Sequence, residues 1–255
     1  MLLRAENLTK RFGGVAALQR EVDSLERGAV HAVIGPNGAG KTTLLNVLSG
    51  IYRPDAGRIS LEDENLAGKS PHQFARAGIG RTFQNLQVFF NMTVLENVMS
   101  GRWLHERCGL ATALLHLPAL ARAERACREE AAALLEMVGL ARWAGARADS
   151  IPYGALKRLE IARALAAEPR LLLLDEPAAG LNPTETHEID ELIRRIAARG
   201  ITVVLVEHNM KLVMGVAQHV VVLDYGRKLA EGEPAEVSRD PRVIEAYLGA
   251  EACSR

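Results

Sequence analysis

One octapeptide, Gly35-Pro36-Asn37-Gly38-Ala39-Gly40-Lys41-Thr42, limits what this chain can fold into more than any other stretch. It fits the pattern G-x-x-x-x-G-K-[ST]. It follows the β-branched apolar run Ala29–Ile34 and opens a helical stretch, Thr42–Ser49, that stops at Gly50. Glycines let the backbone bend until successive N–H groups converge on one point. The helix that follows adds the positive end of its dipole. A loop of this kind binds the phosphates of a nucleotide. Lys41 would reach the β- and γ-phosphates, Thr42 would place its hydroxyl on Mg²⁺, and Thr43 follows within the same turn. A glycine-rich turn with no ligand is the competing reading, and the full pattern between a strand and a helix argues against it. The octapeptide does not separate ATP from GTP.

The rest of the chain alternates in the same way. Short apolar runs at Leu171–Leu174, Ile201–Val206 and Val220–Leu223 suit strands buried on both faces, as in a parallel sheet. Helical stretches lie between them, among them Pro183–Arg199, which ends at Gly200. This alternation predicts an α/β core. The N-terminal segment with Arg58–Leu61 reads as a small β layer. From about Thr93 to Ala167 the strand signals thin out, and Ala131, Leu134, Leu135 and Val138 mark one face of a helix. The expected organisation is one domain over 1–255, with a helical subdomain at approximately 93–167 inserted in the α/β core.

Lys and Arg together number 31, as do Asp and Glu, so no basic excess points to nucleic acid. Cys108, Cys127 and Cys253 are far apart and odd in number, which reads as unpaired thiols in a reducing compartment. The charged start MLLRAENLTK does not read as a secretory signal. No run approaches the roughly 20 apolar residues that span a bilayer, so a role at a membrane would need another chain to anchor it.

A second acidic site closes the run Leu171-Leu172-Leu173-Leu174-Asp175-Glu176-Pro177. Adjacent strand residues point to opposite faces, so two successive carboxylates can do different work. Asp175 suits Mg²⁺ and Glu176 suits the attacking water. Pro177 ends the strand.

With these elements in this order the chain resembles the ABC ATPase family over nearly its whole length. Phe12, in Lys10-Arg11-Phe12, is similar to the aromatic residue that stacks on adenine. Gln84, in Arg81-Thr82-Phe83-Gln84, is similar to the glutamine at the join of core and helical lobe, which adds it to Thr42 and Asp175 as a Mg²⁺ candidate. Ile151-Pro152-Tyr153-Gly154-Ala155 resembles the signature sequence, and the stretch Arg158–Leu165 its helix. Ala179-Gly180-Leu181-Asn182 resembles the loop after the second carboxylate, and His208 the switch histidine. Each has a blander reading alone, Phe12 as core and His208 as structural. The resemblance implies a P-loop NTPase core of RecA-like type with an N-terminal antiparallel β layer and an inserted α-helical subdomain. It also implies a head-to-tail dimer holding two ATP molecules, in which Lys41, Glu176 and His208 are catalytic.

The runs Glu176–Thr186, Val206–Met214 and Val222–Gly232 narrow the resemblance to the ATPases of branched-chain amino-acid importers, and a helical insert near Leu110–Arg128 to the longer of the two. Partners implied are a second homologous ABC ATPase in a heterodimer, with a homodimer as the alternative, two transmembrane permease subunits and, indirectly, a solute-binding protein. The place implied is the cytoplasmic face of a bacterial inner membrane. Relatives in this group carry amides, urea or aromatic acids, so the cargo stays open. An ATPase of lipopolysaccharide export and a non-transport ABC ATPase are the alternatives; Asn182–Thr186 and His208–Met214 favour the importer. A GTPase would carry Asn-Lys-x-Asp, which is absent from the sequence.

The signature departs from its usual Leu-Ser-Gly-Gly-Gln. Pro152 has neither hydroxyl nor N–H and cannot donate to a γ-phosphate. Gly154 and a helix N-terminus near Ala155 stay available. In the family the signature completes the partner's site, so the expectation is an asymmetric pair in which this chain's own phosphate loop serves the faster site. Phe89 and Phe90 read equally as contacts for a membrane-subunit helix and as core.

Overall fold

The computed structural model describes residues 1–102 and 118–252, and their contacts divide into two units, Met1–Arg81 with Arg170–Arg255, and Thr82–Pro169.

The first unit contains two sheets. Strands β1 (Leu3–Phe12), β2 (Val15–Leu25), β4 (Ala56–Leu61) and β5 (Glu64–Asn65) form an antiparallel sheet in the order β2-β1-β4-β5. The second sheet runs β10-β9-β3-β8-β7-β6, from β3 (Val30–Ile34), β6 (Ile79–Arg81), β7 (Leu171–Asp175), β8 (Thr202–Val206), β9 (His219–Asp224) and β10 (Arg227–Gly232). Its five strands β9, β3, β8, β7 and β6 are parallel to their neighbours, and β10 is antiparallel to β9. Every residue of β3, β7 and β8 is buried, which is why each is apolar apart from His31, Asp175 and Thr202.

Helix α1 (Lys41–Leu48) follows β3, and α2 (Pro71–Arg76) starts from a Ser70/Gln73 capping box. The side chains of Leu44, Leu45 and Leu48 join Leu171, Leu173, Val204 and Val206 in one core cluster. A second cluster gathers Ala32, Ile34, Val220 and Val222.

In the second unit, α3 (Val94–Gly101) is opened by a Thr93/Glu96 capping box and packs against α5 (Tyr153–Leu165) and α4 (Pro118–Met137). A Cβ on Gly101 would stand 2.2 Å from the Arg163 carbonyl oxygen, so only glycine permits this close crossing. Ala131, Leu135 and Val138 are buried along the expected face. Cys127 is buried; Cys108, Cys253 and the part of the expected insert before Pro118 lie outside the described residues. Returning to the first unit, α6 (Pro183–Ala198) buries Ile189, Leu192, Ile193 and Ile196, the spacing of one helix face. It starts from an Asn182/Glu185 capping box with proline in its first turn. Helices α7 (Met210–Val216), α8 (Pro234–Val237) and α9 (Pro241–Ala252) complete it.

Candidate nucleotide site

The phosphate loop leaves the C-terminal end of β3, which lies between β9 and β8. Open parallel sheets present ligand sites at that edge. Gly40 has φ +105°, and a Cβ there would come within 2.5 Å of the Ala17 carbonyl oxygen. The Gly226 N–H donates to the Ala39 carbonyl at 2.9 Å, so the turn after β9 braces the loop. Within the loop Gly35 and Ala39 are buried, Pro36 and Gly40 half-buried, and Asn37 and Gly38 exposed; Thr42 is exposed and Thr43 half-buried. Lys41 is buried, and its Nζ donates to the carbonyls of Gly35 at 2.6 Å and Pro36 at 2.8 Å. Burial lowers its pKa, while Glu176 and Asp175 oppose that shift. The ammonium therefore caps two loop carbonyls that phosphate oxygens would compete with.

The carboxylates follow from strand register. Asp175 stands opposite Val206 on adjacent parallel strands, so residues just past β7 and β8 emerge side by side. Glu176 Oε1 lies 2.9 Å from His208 Nε2. With Glu176 ionised, the ring donates from Nε2. The Glu176 backbone N–H donates to the Val206 carbonyl at 2.9 Å, and its φ is +48°. A non-glycine residue in the left-handed region is strained, and such strain concentrates at functional positions. Asp175 is buried, and Arg81 Nη2 donates to its Oδ2 at 3.2 Å. Glu207, also buried, accepts N–H bonds from Ala178, His208 and Asn209 and so ties the loop after β7 to the loop after β8.

Phe12 is not core. It is 45% exposed, stands edge-on to Tyr52 at 5.3 Å between centroids, and has the Lys10 ammonium 5.5 Å from its ring. Asp55 holds this end of β1 by accepting from the Arg11 N–H at 2.7 Å and the Lys10 ammonium at 3.0 Å, and these bonds lower its pKa. An exposed ring on a braced strand end can stack on a purine.

Gln84 and the signature residues belong to the second unit. Gln84 is exposed, and its carbonyl accepts from Lys157 Nζ at 3.4 Å. Pro152 caps α5, and the helix begins at Tyr153, two residues before the expected start near Ala155. Pro152 and Tyr153 are exposed while Gly154 and Ala155 are buried. The Ala155 and Leu156 N–H groups both donate to the Pro152 carbonyl at 3.0 Å, which turns the first-turn donors for an anion to Tyr153 and Gly154. Phe89 and Phe90 are 46% and 47% exposed, so they are surface residues. Asn97, fully buried, bonds both the N–H and the carbonyl of Phe89, at 2.8 and 2.9 Å, and Glu160 accepts from the Phe83 and Gln87 N–H groups. Burial raises the Glu160 pKa, an effect those N–H bonds oppose.

Sequence reasoning gave no role to Arg81, Glu207 or Glu160. The signal was a charged residue at an apolar strand end or on the inner face of a helix, where burial without a partner would be costly.

Residues 22–179 match the family model described as ABC transporter. The chain belongs to the ABC transporter family. Within that family, residues 227–253 match a further model, described as branched-chain amino acid ATP-binding cassette transporter. The high-affinity branched-chain amino acid transport ATP-binding protein BraF of Pseudomonas aeruginosa is 44% identical over 249 residues, covering 97% of this chain and 98% of the relative. The corresponding protein LivG of Escherichia coli K12 gives the same figures. Two solved structures superpose with a TM-score of 0.84 at 34% identity: a nucleotide-free ATP-binding cassette from an ABC transporter, covering 96% of this chain and 98% of that one, and the ADP conformation of such a cassette, covering 97% and 98%. The expected ABC ATPase fold, a parallel P-loop core with an antiparallel layer, is therefore the fold of this chain.

Proposed function

We propose that this ABC-family chain binds and hydrolyses ATP as the motor subunit of a branched-chain amino acid importer. The observation that carries the hydrolytic part is the 2.9 Å contact between Glu176 and His208 at the strand edge from which the phosphate loop departs. The cargo rests on the 44% identity to transport proteins for branched-chain amino acids.

Lys41 leaves its two loop carbonyls for the β- and γ-phosphates. Phe12 stacks on the adenine. Glu176 orients and deprotonates the attacking water, and His208 holds Glu176 and meets the γ-phosphate. Phosphoryl transfer asks for this kind of positioning and electrostatic stabilisation. The donor set fits Mg²⁺: one buried carboxylate, Asp175, and one exposed threonine, Thr42, suit an ion that keeps waters and shares phosphate oxygens. When bound, that ion would supply charge neutralisation on the phosphates. The stretch 93–167 serves as the helical subdomain, and Pro152 and Tyr153 with the Gly154 N–H face the nucleotide of a second ATPase, while the expected role of Ala155 there is lost to its burial and its N–H bond to the Pro152 carbonyl. No helix among the described residues is long and apolar enough to cross a membrane. The likeness to transport ATP-binding proteins supports reading the chain as a peripheral subunit beneath two permeases.

The test is to tag the chain in its native cell, solubilise membranes gently and identify what co-purifies. A second short ATPase and two multi-spanning proteins, with leucine uptake after reconstitution, are expected. Soluble partners alone would overturn the transport reading and leave ATP hydrolysis standing. In the assembled complex, disabling Lys41 should cost more turnover than disabling the equivalent lysine of the second ATPase, because Pro152 weakens the site it completes. The reverse order would refute that asymmetry.

A further inference from the structure

Arg81 ends β6, and its side chain is only 6% exposed. Its guanidinium donates to Asp175 Oδ2 at 3.2 Å, to Asn46 Oδ1 at 2.7 Å and to Ser49 Oγ at 2.8 Å. Ser49 in turn donates to the Leu45 carbonyl at 2.8 Å. One cation thus joins the carboxylate at the end of β7 to α1, the helix whose first turn carries Lys41 and Thr42. A buried ion pair is costly unless further donors are satisfied; here Asn46 and Ser49 take the two Nη1 protons. Burial lowers the Arg81 pKa and Asp175 opposes it, and arginine keeps its proton in any case.

We propose that Arg81 is a positioning residue for the divalent metal: it holds Asp175 in a fixed rotation and at a fixed place relative to the helix that bears Thr42. This rests on the reading above that Asp175 serves the metal. The Nη2–Oδ2 bond fixes which way the Asp175 carboxylate faces. A partner one shell out from a metal ligand fixes that ligand's orientation, and removing such partners usually costs about 10–100-fold in metal affinity or activity.

Lysine in place of Arg81 keeps the charge but cannot reach three acceptors at once. The experiment uses the full chain as Arg81→Lys and, as a milder change that leaves the ion pair intact, Asn46→Ala. Mn²⁺ is titrated into the protein with a non-hydrolysable ATP analogue and followed by electron paramagnetic resonance. Metal-free nucleotide affinity, thermal midpoint and ATPase kinetics are read alongside. Arg81→Lys should weaken Mn²⁺ binding and lower kcat by about 10–100-fold, with metal-free nucleotide affinity and the KM for ATP within about twofold of the parent. Asn46→Ala should shift Mn²⁺ binding in the same direction by less. A Mn²⁺ titration unchanged in both variants would overturn the proposal, and so would an equal loss of metal-free and metal-dependent binding, which marks a scaffold role only. Asp175→Asn separates the two readings: if it leaves Mn²⁺ binding intact, the metal assignment of Asp175 fails first. If Asp175→Asn abolishes binding while Arg81→Lys does not, only the role of Arg81 fails.

Discussion

Glu176 combines a candidate chemical role with a strained backbone, and the two can be separated by substitution. Its φ of +48° lies in the left-handed region, and its carboxylate meets His208 at 2.9 Å. Alanine and glycine at this position lose that contact equally, but only glycine relieves the backbone. The left-handed conformation costs a Cβ-bearing residue roughly 1–2 kcal/mol. Glycine gives back about 0.5–1 kcal/mol through the greater freedom of its unfolded chain. Glu176→Gly should therefore be more stable than Glu176→Ala by about 0.5–1 kcal/mol, or roughly 1–4 °C in thermal midpoint for a chain of this size. Both should lose about 10²–10⁴-fold in ATP turnover if Glu176 handles the water. Differential scanning calorimetry and a phosphate-release assay on the same preparations decide the matter. Alanine equal to or better than glycine would refute the strain argument. Turnover near the parent in either variant would remove Glu176 from the chemistry, whatever the stability shows.

Gly40→Ala sets a Cβ against the Ala17 carbonyl oxygen at 2.5 Å with φ at +105°, so the loop must shift; nucleotide affinity should fall by at least about tenfold, the equivalent of 1.4 kcal/mol, and unchanged titration of a fluorescent ATP analogue would contradict this. His31 sits buried on β3, accepting the Glu26 N–H on Nε2 at 3.1 Å and facing His219 across adjacent strands, with Glu231 beside His219. Burial, then the neighbouring His219, lower its pKa, so the folded state takes up its proton later than the unfolded chain as pH falls. The stability held at pH 7.5 should then begin to drain away below about pH 6.5, at up to about 1.4 kcal/mol per pH unit. His31→Leu should flatten that slope in urea titrations, and parallel curves for parent and variant between pH 7 and 5.5 would refute the assignment.

Much of the site was legible because its signals are local. The phosphate loop needs glycines at fixed offsets between a strand and a helix, and these are adjacent in the chain. Runs such as Leu171–Leu174 declare a doubly buried strand by composition alone, and Asn182-Pro183-Thr184-Glu185 declares a helix start by the bonds it makes to itself. Helix α5 starts at Tyr153, two residues before the position expected near Ala155, because Pro152 takes the N-cap, where its carbonyl accepts the first helical bonds. Phe89 and Phe90 stayed ambiguous because an aromatic pair does not say which side of it is wet. Their exposure depends on Asn97 and Glu160 pinning the loop beneath them.

What the tertiary structure alone decided is which distant residues meet. Glu176 touches His208 because β7 and β8 are neighbours in register, and Arg81 meets Asp175 across 94 positions because β6 lies on the other side of β7. Strand order arises from how all the apolar faces pack at once, and no short stretch of sequence carries it. The left-handed backbone at Glu176 belongs to the same class, since glutamate does not favour that conformation by itself and holds it only because the surrounding strands and loops over-determine the turn.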